Sequence, residues 1–258
     1  MSIFLDCEKE GHILRVTLNR PDRRNALSTP ICERLLALPA EIEADIDIRC
    51  VIITGAGTAF CAGADLKERK ELDEAARWRY VELVDRALLD IEKIPVPVIA
   101  AVNGHALGGG TELALGCDFR LAVKDADFGL TETGIGIIPT GSIVRLLRDG
   151  HDTLNSLLTY TAARISAARM TELGFLHQVV DTHRELEDMA RALADQIAQN
   201  APLALRAAKK VKQMLASDRT GDALHRAETI RRSLDSTADC LEGLAAFAEK
   251  RPPVFIGK

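Results

Sequence analysis

The chain has 258 residues, of which 47% are apolar and 28% are charged, a composition typical of a globular protein with one large domain. The formal net charge of −5 argues against a general affinity for nucleic acid, whose protein partners usually present a basic surface. No apolar run approaches the roughly 18 to 20 residues of a membrane-spanning helix, and the six cysteines form neither a C-x-x-C pair nor a zinc-binding spacing.

The N-terminal segment, MSIFLDCEKEGH, carries acidic residues early and has no long apolar core, which argues against a signal peptide. We therefore expect a cytoplasmic protein with reduced thiols, no membrane or nucleic-acid partner and no bound metal.

Short β-branched apolar runs predict strands along the first half of the chain. The segment 12–20 alternates apolar and polar residues, as a half-buried strand does, whereas 49–57 and 96–104 are apolar runs stopped by glycine. The latter two are typical of strands buried on both faces of a sheet. A fourth strand is predicted within 118–130.

Helical periodicity separates these strands. Ile31, Leu35, Leu38 and Ile42 keep a spacing of three to four residues, and Pro39 predicts a kink or a split in that helix. A second helix is predicted from the apolar stripe between Trp78 and Ile91. Strands and helices that alternate in this way indicate an α/β fold.

Helix-forming residues dominate from about residue 150 onward. Apolar stripes predict helices at 186–197, 203–215 and 241–247. We expect a core domain over residues 1–198 and a helical C-terminal region over 199–258. Such a helical region either covers the sheet or meets another subunit, and the sequence leaves both open.

The run GHALGGGTELA, residues 104–114, follows a predicted buried strand and opens a helix. It fits neither the nucleotide P-loop, because no Lys follows the glycines, nor the dinucleotide fingerprint, because Leu113 stands where the third glycine is needed. A helix start presents unpaired N–H groups to a negatively charged oxygen. For a lone glycine run, however, close packing of the helix on the sheet is the better interpretation.

A second turn of small residues, AGAD at 62–65, also follows a buried strand, and Asp65 is placed to cap a helix entered at Leu66. Two such turns supply two N–H donors that can converge on one oxygen as an oxyanion hole. Each donor of such a hole contributes roughly 3 to 4 kcal/mol of transition-state stabilisation where this has been measured.

Several ordered motifs resemble the crotonase, or enoyl-CoA hydratase/isomerase, superfamily. They are LNRPDRRNAL at 18–27, FCAGADLKE at 60–68, the glycine-rich segment 95–122, FGLTETGIGIIP at 128–139 and the C-terminal segment 241–258. The resemblance implies a spiral of ββα units with a helical trimerisation region, and assembly as a homotrimer or a dimer of trimers. It also assigns the two N–H donors to Ala64 and Gly109.

The same resemblance identifies Glu112 and Glu132 as the acid–base pair of a hydratase. It implies reversible syn addition of water to a trans-2-enoyl-CoA, with Glu112 activating the water and Glu132 delivering a proton to Cα. Two nearby carboxylates disfavour double ionisation, so the pair is expected to share one proton near neutral pH. The alternatives are a double-bond isomerase with Glu132 as a single proton shuttle and a non-catalytic acyl-CoA-binding relative.

Coenzyme A is part of the expected substrate, and no separate cofactor is predicted. The resemblance places the CoA thioester against residues of the two turns, of the segment near residue 25 and of the C-terminus. The predicted binding residues are Arg24, Ala26, Ala62, Ala64, Asp65, Leu66, Lys67, Gly109, Phe255 and Lys258.

The segment Thr140–Asn155 departs from the family pattern, because TGSIVRLLRDGHDTLN replaces a more glycine-rich stretch. Ser142, Ile143 and Arg145 lie in this segment, where relatives shape the acyl-binding end. The departure predicts altered substrate choice or weaker activity on simple enoyl thioesters. For His105 and Cys61, which lie near the turns, structural roles are the better interpretation.

Overall fold

The computed structural model describes residues 4–200, 202–213, 232 and 237–254. The predicted binding residues Phe255 and Lys258 lie outside these ranges, as does Leu215 of the predicted stripe. No helix within the described residues is long and apolar enough to cross a membrane.

A six-stranded sheet forms the larger layer of the fold. Its strands, in spatial order, are β1 (Leu5–Glu10), β2 (Ile13–Leu18), β3 (Cys50–Gly55), β5 (Val98–Val102), β7 (Phe119–Val123) and β10 (Gln178–Val180). The β1 strand is antiparallel to β2, and the remaining neighbours are parallel. Every residue of β3 and β5 is buried, as the apolar runs predicted.

A smaller sheet lies beside the first, with the order β4 (Ala59–Cys61), β6 (His105–Leu107), β8 (Asp127–Gly129) and β9 (Ile165–Ser166). Consecutive strands therefore alternate between the sheets, with β3, β5 and β7 in the large one and β4, β6 and β8 in the small one. A helix follows each pair, which confirms the predicted spiral of ββα units. The segment 118–130, predicted to contain one strand, contains two, β7 and β8, because a turn closed by Ala126 N–H on the Val123 carbonyl divides it.

Helices cover the outer faces of both sheets. They are α1 (Thr29–Ala44), α2 (Leu66–Glu71), α3 (Glu74–Asp90), α4 (Gly109–Gly116), α5 (Thr140–Arg148), α6 (Asp152–Thr161), α7 (Ala167–Glu172), α8 (His183–Ala198), α9 (202–213) and α10 (Ala238–Glu249). Short 3-10 turns occupy Pro21–Arg23, Ile91–Lys93 and Glu132–Ile135.

Of the kink or split predicted at Pro39, the split does not occur, because helix α1 continues through this residue. Proline removes one backbone hydrogen bond and crowds the preceding turn. Buried side chains on both sides of it, Leu35, Leu38 and Ile42, keep the helix on the core. Tertiary packing therefore outweighs the local preference.

Helix α8 packs against β3, β5 and β7 with buried Leu186, Ala190 and Ala194 and encloses one face of the large sheet. It ends at Ala198, where the predicted core domain ends.

Helix α10 returns to pack on the Glu132–Ile135 turn of the same chain. Gly243 makes this approach possible, because a β-carbon there would collide with the Ile135 carbonyl. Part of the C-terminal region thus covers the core domain close to the candidate site.

Candidate active site

The two small-residue turns lie side by side, because β4 and β6 are parallel neighbours and each turn follows the end of one strand. Gly63 has a φ of +84°, and a β-carbon there would lie 2.7 Å from the Leu107 carbonyl oxygen and 2.9 Å from the Gly109 nitrogen. Only glycine combines this backbone conformation with so close an approach. The sequence motifs therefore fold into one contiguous backbone feature.

The N–H groups of Ala64 and Gly109 donate no hydrogen bond to any described residue, whereas those of Asp65 and Gly108 do. Leu27 N–H bonds the Gly63 carbonyl, and Asp65 N–H bonds the Leu27 carbonyl and the Tyr80 hydroxyl. Gly109 is also the first residue of α4, where the helix dipole adds positive charge. Two unpaired donors thus lie on adjacent turns, as an oxyanion hole requires.

Asp65 holds the first turn in place. Its carboxylate accepts hydrogen bonds from the N–H groups of Lys67 and Glu68, which caps α2 as predicted, and contacts Arg20 Nη1 at 2.6 Å. Burial alone would raise the pKa of this carboxyl, but the bonds from Arg20 and the helix N–H groups hold the pKa below its usual value.

Tyr80 of α3 holds the same turn from a second side. Its hydroxyl is buried, donates to the Leu27 carbonyl at 2.5 Å and accepts from Asp65 N–H at 2.7 Å.

A cavity of about 100 Å³ opens beside the unpaired donors. Its wall contains Ala64, Gly109 and both predicted glutamates. Apolar side chains make up most of the remaining wall: Leu66, Val81, Val84, Leu88, Ile135, Ile137 and Ile138. The four residues predicted to be catalytic therefore share one largely apolar cavity.

Glu112 comes from the first turn of α4 and is 6% exposed. Its Oε1 atom lies 3.8 Å from Nη1 of the fully buried Arg145, and the start of α5 at Gly141 fits so closely that a β-carbon there would collide with the carboxyl group. The pKa of Glu112 is raised above its usual value, because burial outweighs the lowering effects of the Arg145 charge and of the Ser142 hydroxyl. Ser142 Oγ completes no regular hydrogen bond with the described residues, so Arg145 is the main favourable neighbour.

Glu132 opens the 3-10 turn that follows β8, and it has no ion-pair partner among the described residues. Its Oε2 atom is buried and accepts no hydrogen bond from them. Burial, together with the nearby Glu112 charge, raises the pKa of Glu132 to about 8, although its own backbone N–H opposes the shift. The two carboxyl groups are thus chemically unequal: Glu132 holds a proton near neutral pH, and Glu112 faces a cation.

Gly108 lets Glu132 approach the glycine turn. It has a φ of +52°, and a β-carbon there would lie 2.8 Å from Glu132 Oε1. The glycines of GHALGGG therefore have separate roles, because Gly108 makes room for the acid, Gly109 supplies a donor, and Gly110 packs α4 against the Cys61 carbonyl.

Several predicted CoA-binding residues gather around the first turn. Ala62 N–H donates to the Arg24 carbonyl at 3.0 Å. Ala26, two residues after Arg24 in the chain, is buried, and Leu66 lines the cavity. Arg24 and Lys67 are exposed and form no ion pair with the described residues. The N–H groups of Ala62 and Asp65 are already bonded within the protein, so neither is available to a ligand.

Other residues singled out in the sequence lie outside the cavity. His105 is exposed, and its Nδ1 accepts the Asp127 N–H. Cys61 is a buried thiol whose pKa is raised by burial to about 12, which agrees with a structural role rather than a nucleophile. The described residues contain no group of three side chains that could hold a metal ion.

The sequence interpretation did not identify Tyr80 or Glu92 and placed Arg145 only near the acyl end. Structure places Ser142 and Arg145 behind Glu112, while Thr140 is the residue of α5 that lines the cavity. One signal for the role of Arg145 was available. Arg145 is charged but lies with Leu146 on the buried side of α5, and a buried arginine needs polar partners. Those partners lie 33 or more residues away along the chain.

Comparison with known proteins agrees with this geometry. A profile of the enoyl-CoA hydratase/isomerase family matches residues 8–258. The Bacillus subtilis protein YngF, named as an enoyl-CoA hydratase/isomerase, is 43% identical over 254 residues that cover 96% of each chain. An enoyl-CoA hydratase structure from Bacillus anthracis superposes with a TM-score of 0.78 at 39% identity, over 99% of this chain and 100% of that one.

A methylmalonyl-CoA decarboxylase solved with 2-nitronate-propionyl-CoA superposes with a TM-score of 0.85 at 29% identity, over 99% of both chains. Similar folds therefore occur in proteins named for different reactions, and the reaction has to be argued from the side chains in the cavity.

Proposed function

The chain belongs to the enoyl-CoA hydratase/isomerase family, and from this premise we propose that it is an enoyl-CoA hydratase. The proposed reaction is reversible syn addition of water to a trans-2-enoyl-CoA. The observation that carries the proposal is the unequal pair of buried carboxyl groups beside two unpaired N–H donors.

The proposed mechanism uses each group once. The N–H groups of Ala64 and Gly109 bind the thioester oxygen as it gains negative charge. Glu112 takes a proton from water, whose oxygen bonds to Cβ, while Glu132 gives its proton to Cα. The proton gained by Glu112 then returns to Glu132 directly or through solvent, so the pair ends as it began. Acid–base help of this kind contributes about 10² to 10⁴ in rate.

The apolar wall of the cavity favours the acyl chain, and the exposed cations Arg24 and Lys67 are proposed to face the CoA phosphates. No separate cofactor is proposed. Assembly as a homotrimer or dimer of trimers and a cytoplasmic location are further proposals, and sedimentation velocity with the full chain tests the first of them.

One observation favours a second function, a double-bond isomerase. Arg145 contacts Glu112, and a carboxylate engaged in this way could be structural, which would leave Glu132 as a single proton shuttle. An isomerase moves a proton from one carbon to another and takes up no water. The two functions therefore differ in whether Glu112 is needed.

The test is turnover of a panel of 2-enoyl-CoA and 3-enoyl-CoA esters of several chain lengths, with E112Q and E132Q as variants. Hydration removes the conjugated enoyl thioester absorbance, and we expect both variants to lose about 10² to 10⁴ of kcat. Conversion of 3-enoyl-CoA without water uptake, with E112Q active, would favour the isomerase. Tight thioester binding without turnover would contradict both activities.

A further inference from the structure

Arg145 connects Glu112 to polar contacts behind the cavity wall. The side chain is 1% exposed, its Nε lies 2.6 Å from Glu92 Oε1, and its Nη2 donates to the Leu88 carbonyl at 2.8 Å. Its Nη1 donates to the Glu112 carbonyl at 3.4 Å and lies 3.8 Å from Glu112 Oε1. The planar guanidinium is thus held from two sides and cannot move away from Glu112 without breaking these contacts.

Glu92 is the acidic residue that pairs with both arginines of α5. Its carboxylate contacts Arg145 and also both terminal nitrogens of Arg148, at 3.1 and 3.2 Å. Because Arg148 also pairs with Glu92, Glu92 neutralises only part of the Arg145 charge. The remaining positive charge of Arg145 acts on the Glu112 carboxyl. A buried carboxylate deprived of its cation is costly, so this supply of charge matters.

The charged and polar groups around Glu112 come from every neighbouring element. They are Arg145 and Ser142 on α5, Glu92 on the turn after α3, Glu132 on the turn after β8, and Asp85 and Arg69 on the cavity wall. Of these, Arg145 is the only cation within 4 Å of the Glu112 carboxyl in the described part of the chain. No described cation lies within that distance of Glu132.

We propose that Arg145 is a positioning residue that favours the ionised form of Glu112 at the cavity wall and thereby favours Glu112 over Glu132 as the base. The role of Glu112 as a base rests on the proposed function. The effect of Arg145 on the ionisation of Glu112 does not depend on that function. Arg145 touches no reacting atom and acts through the carboxyl group. Helix α5 thus contributes Arg145 to the surroundings of Glu112 and Thr140 to the cavity wall.

The direct test is a pH titration of Glu112 by carbon NMR of protein labelled at the glutamate carboxyl carbons, with the resonance assigned by its loss in E112Q. We expect R145Q to raise the Glu112 titration midpoint by about one pH unit or more, and R145K to fall between R145Q and the unchanged protein. E92Q should shift the midpoint in the opposite direction, because it removes a negative charge. R148Q should raise the midpoint by less than R145Q does, because Arg148 shares Glu92 but does not contact Glu112.

Kinetics add a second measurement. In R145Q the acidic limb of the kcat/KM profile should move to higher pH by the same amount as the Glu112 midpoint measured by NMR, and KM should change little. A merely structural role of Arg145 would lower activity at every pH without moving the limb. An unshifted midpoint in both R145K and E92Q overturns the inference even if R145Q does not fold. Absence of hydration by the unchanged protein would refute the proposed function, and the titration would still test Arg145.

Discussion

Glu112 and Glu132 are the same residue type and line the same cavity, yet their surroundings differ. Glu112 faces Arg145 and the start of α5, whereas Glu132 has one buried oxygen without a partner. In an apolar cavity the neighbours of a carboxyl group decide its charge. This difference is the basis for proposing Glu112 as the base and Glu132 as the acid.

The raised pKa of Glu132 predicts a loss of activity at alkaline pH. Because Glu132 must carry a proton to donate it to Cα, we expect kcat/KM for hydration to fall about tenfold per pH unit above a pKa of about 8. The measurement is the initial rate at low substrate from pH 6 to 10, with a return to pH 7 to show that the enzyme recovers. A flat profile up to pH 10 would mean that Glu132 is not the acid.

The close approach of Gly108 to Glu132 predicts a specific defect in G108A. A β-carbon 2.8 Å from Glu132 Oε1 must displace the carboxyl group, so we expect kcat to fall at least tenfold. G11A is the matched control, because Gly11 also has a positive φ, of +59°, but nothing lies within 4 Å of its added β-carbon. Equal loss of kcat in the two variants would assign the effect to backbone strain alone.

At the scale of elements, the proposed oxyanion hole depends on how two strand ends enter two helices. The α2 start is fixed by Asp65 and Tyr80, and the α4 start by the approach of Gly63 to the neighbouring turn. Helix α3 also begins with an aspartate cap, Asp73, but that cap is exposed and does not line the cavity. The chain thus offers two caps of the same chemistry with different neighbours.

The two aspartate caps predict different outcomes for the same substitution. D65A and D73A each remove one cap, and each should lower the unfolding free energy by about 1 kcal/mol. The loss should be larger for D65A, because Arg20 also loses its partner. Only D65A should lower kcat, since only Asp65 follows the donor Ala64. Chemical denaturation and turnover of both variants test this, and a normal kcat in a folded D65A would show that the turn holds its shape without the cap.

At the scale of the whole molecule, local sequence patterns predicted the helices and strands better than they predicted the tertiary contacts between them. Buried runs predicted β3 and β5, and Asp65 predicted the start of α2. The motifs that indicated the family also indicated the cavity residues. Sequence spacing carries no direct information about pairs such as Arg145 and Leu88, 57 residues apart, because their contact exists only after the helices pack. The same limit explains the continuous α1 through Pro39.

The raised pKa of Glu132 also predicts how stability depends on pH. The folded protein binds this proton more tightly than the unfolded chain, whose glutamates titrate near 4.5. The resulting stabilisation is complete below about pH 4.5 and is lost progressively as the pH rises to about 8. We expect the unfolding free energy, relative to E132Q, to fall by about 4 kcal/mol between pH 5 and pH 9. Denaturant titrations of both proteins at each pH measure the difference, and a constant difference would contradict the shift.

The donors of Ala64 and Gly109 belong to the peptide backbone, whereas the acid and the base are side chains. A single codon change can delete a carboxyl group, but none can delete an N–H group except by introducing proline. In the proposed mechanism, the donors to the thioester oxygen are therefore harder to remove by a single substitution than the residues that handle the proton. A library that varies positions 112 and 132 on this scaffold would accordingly sample new reactions on a fixed activating group.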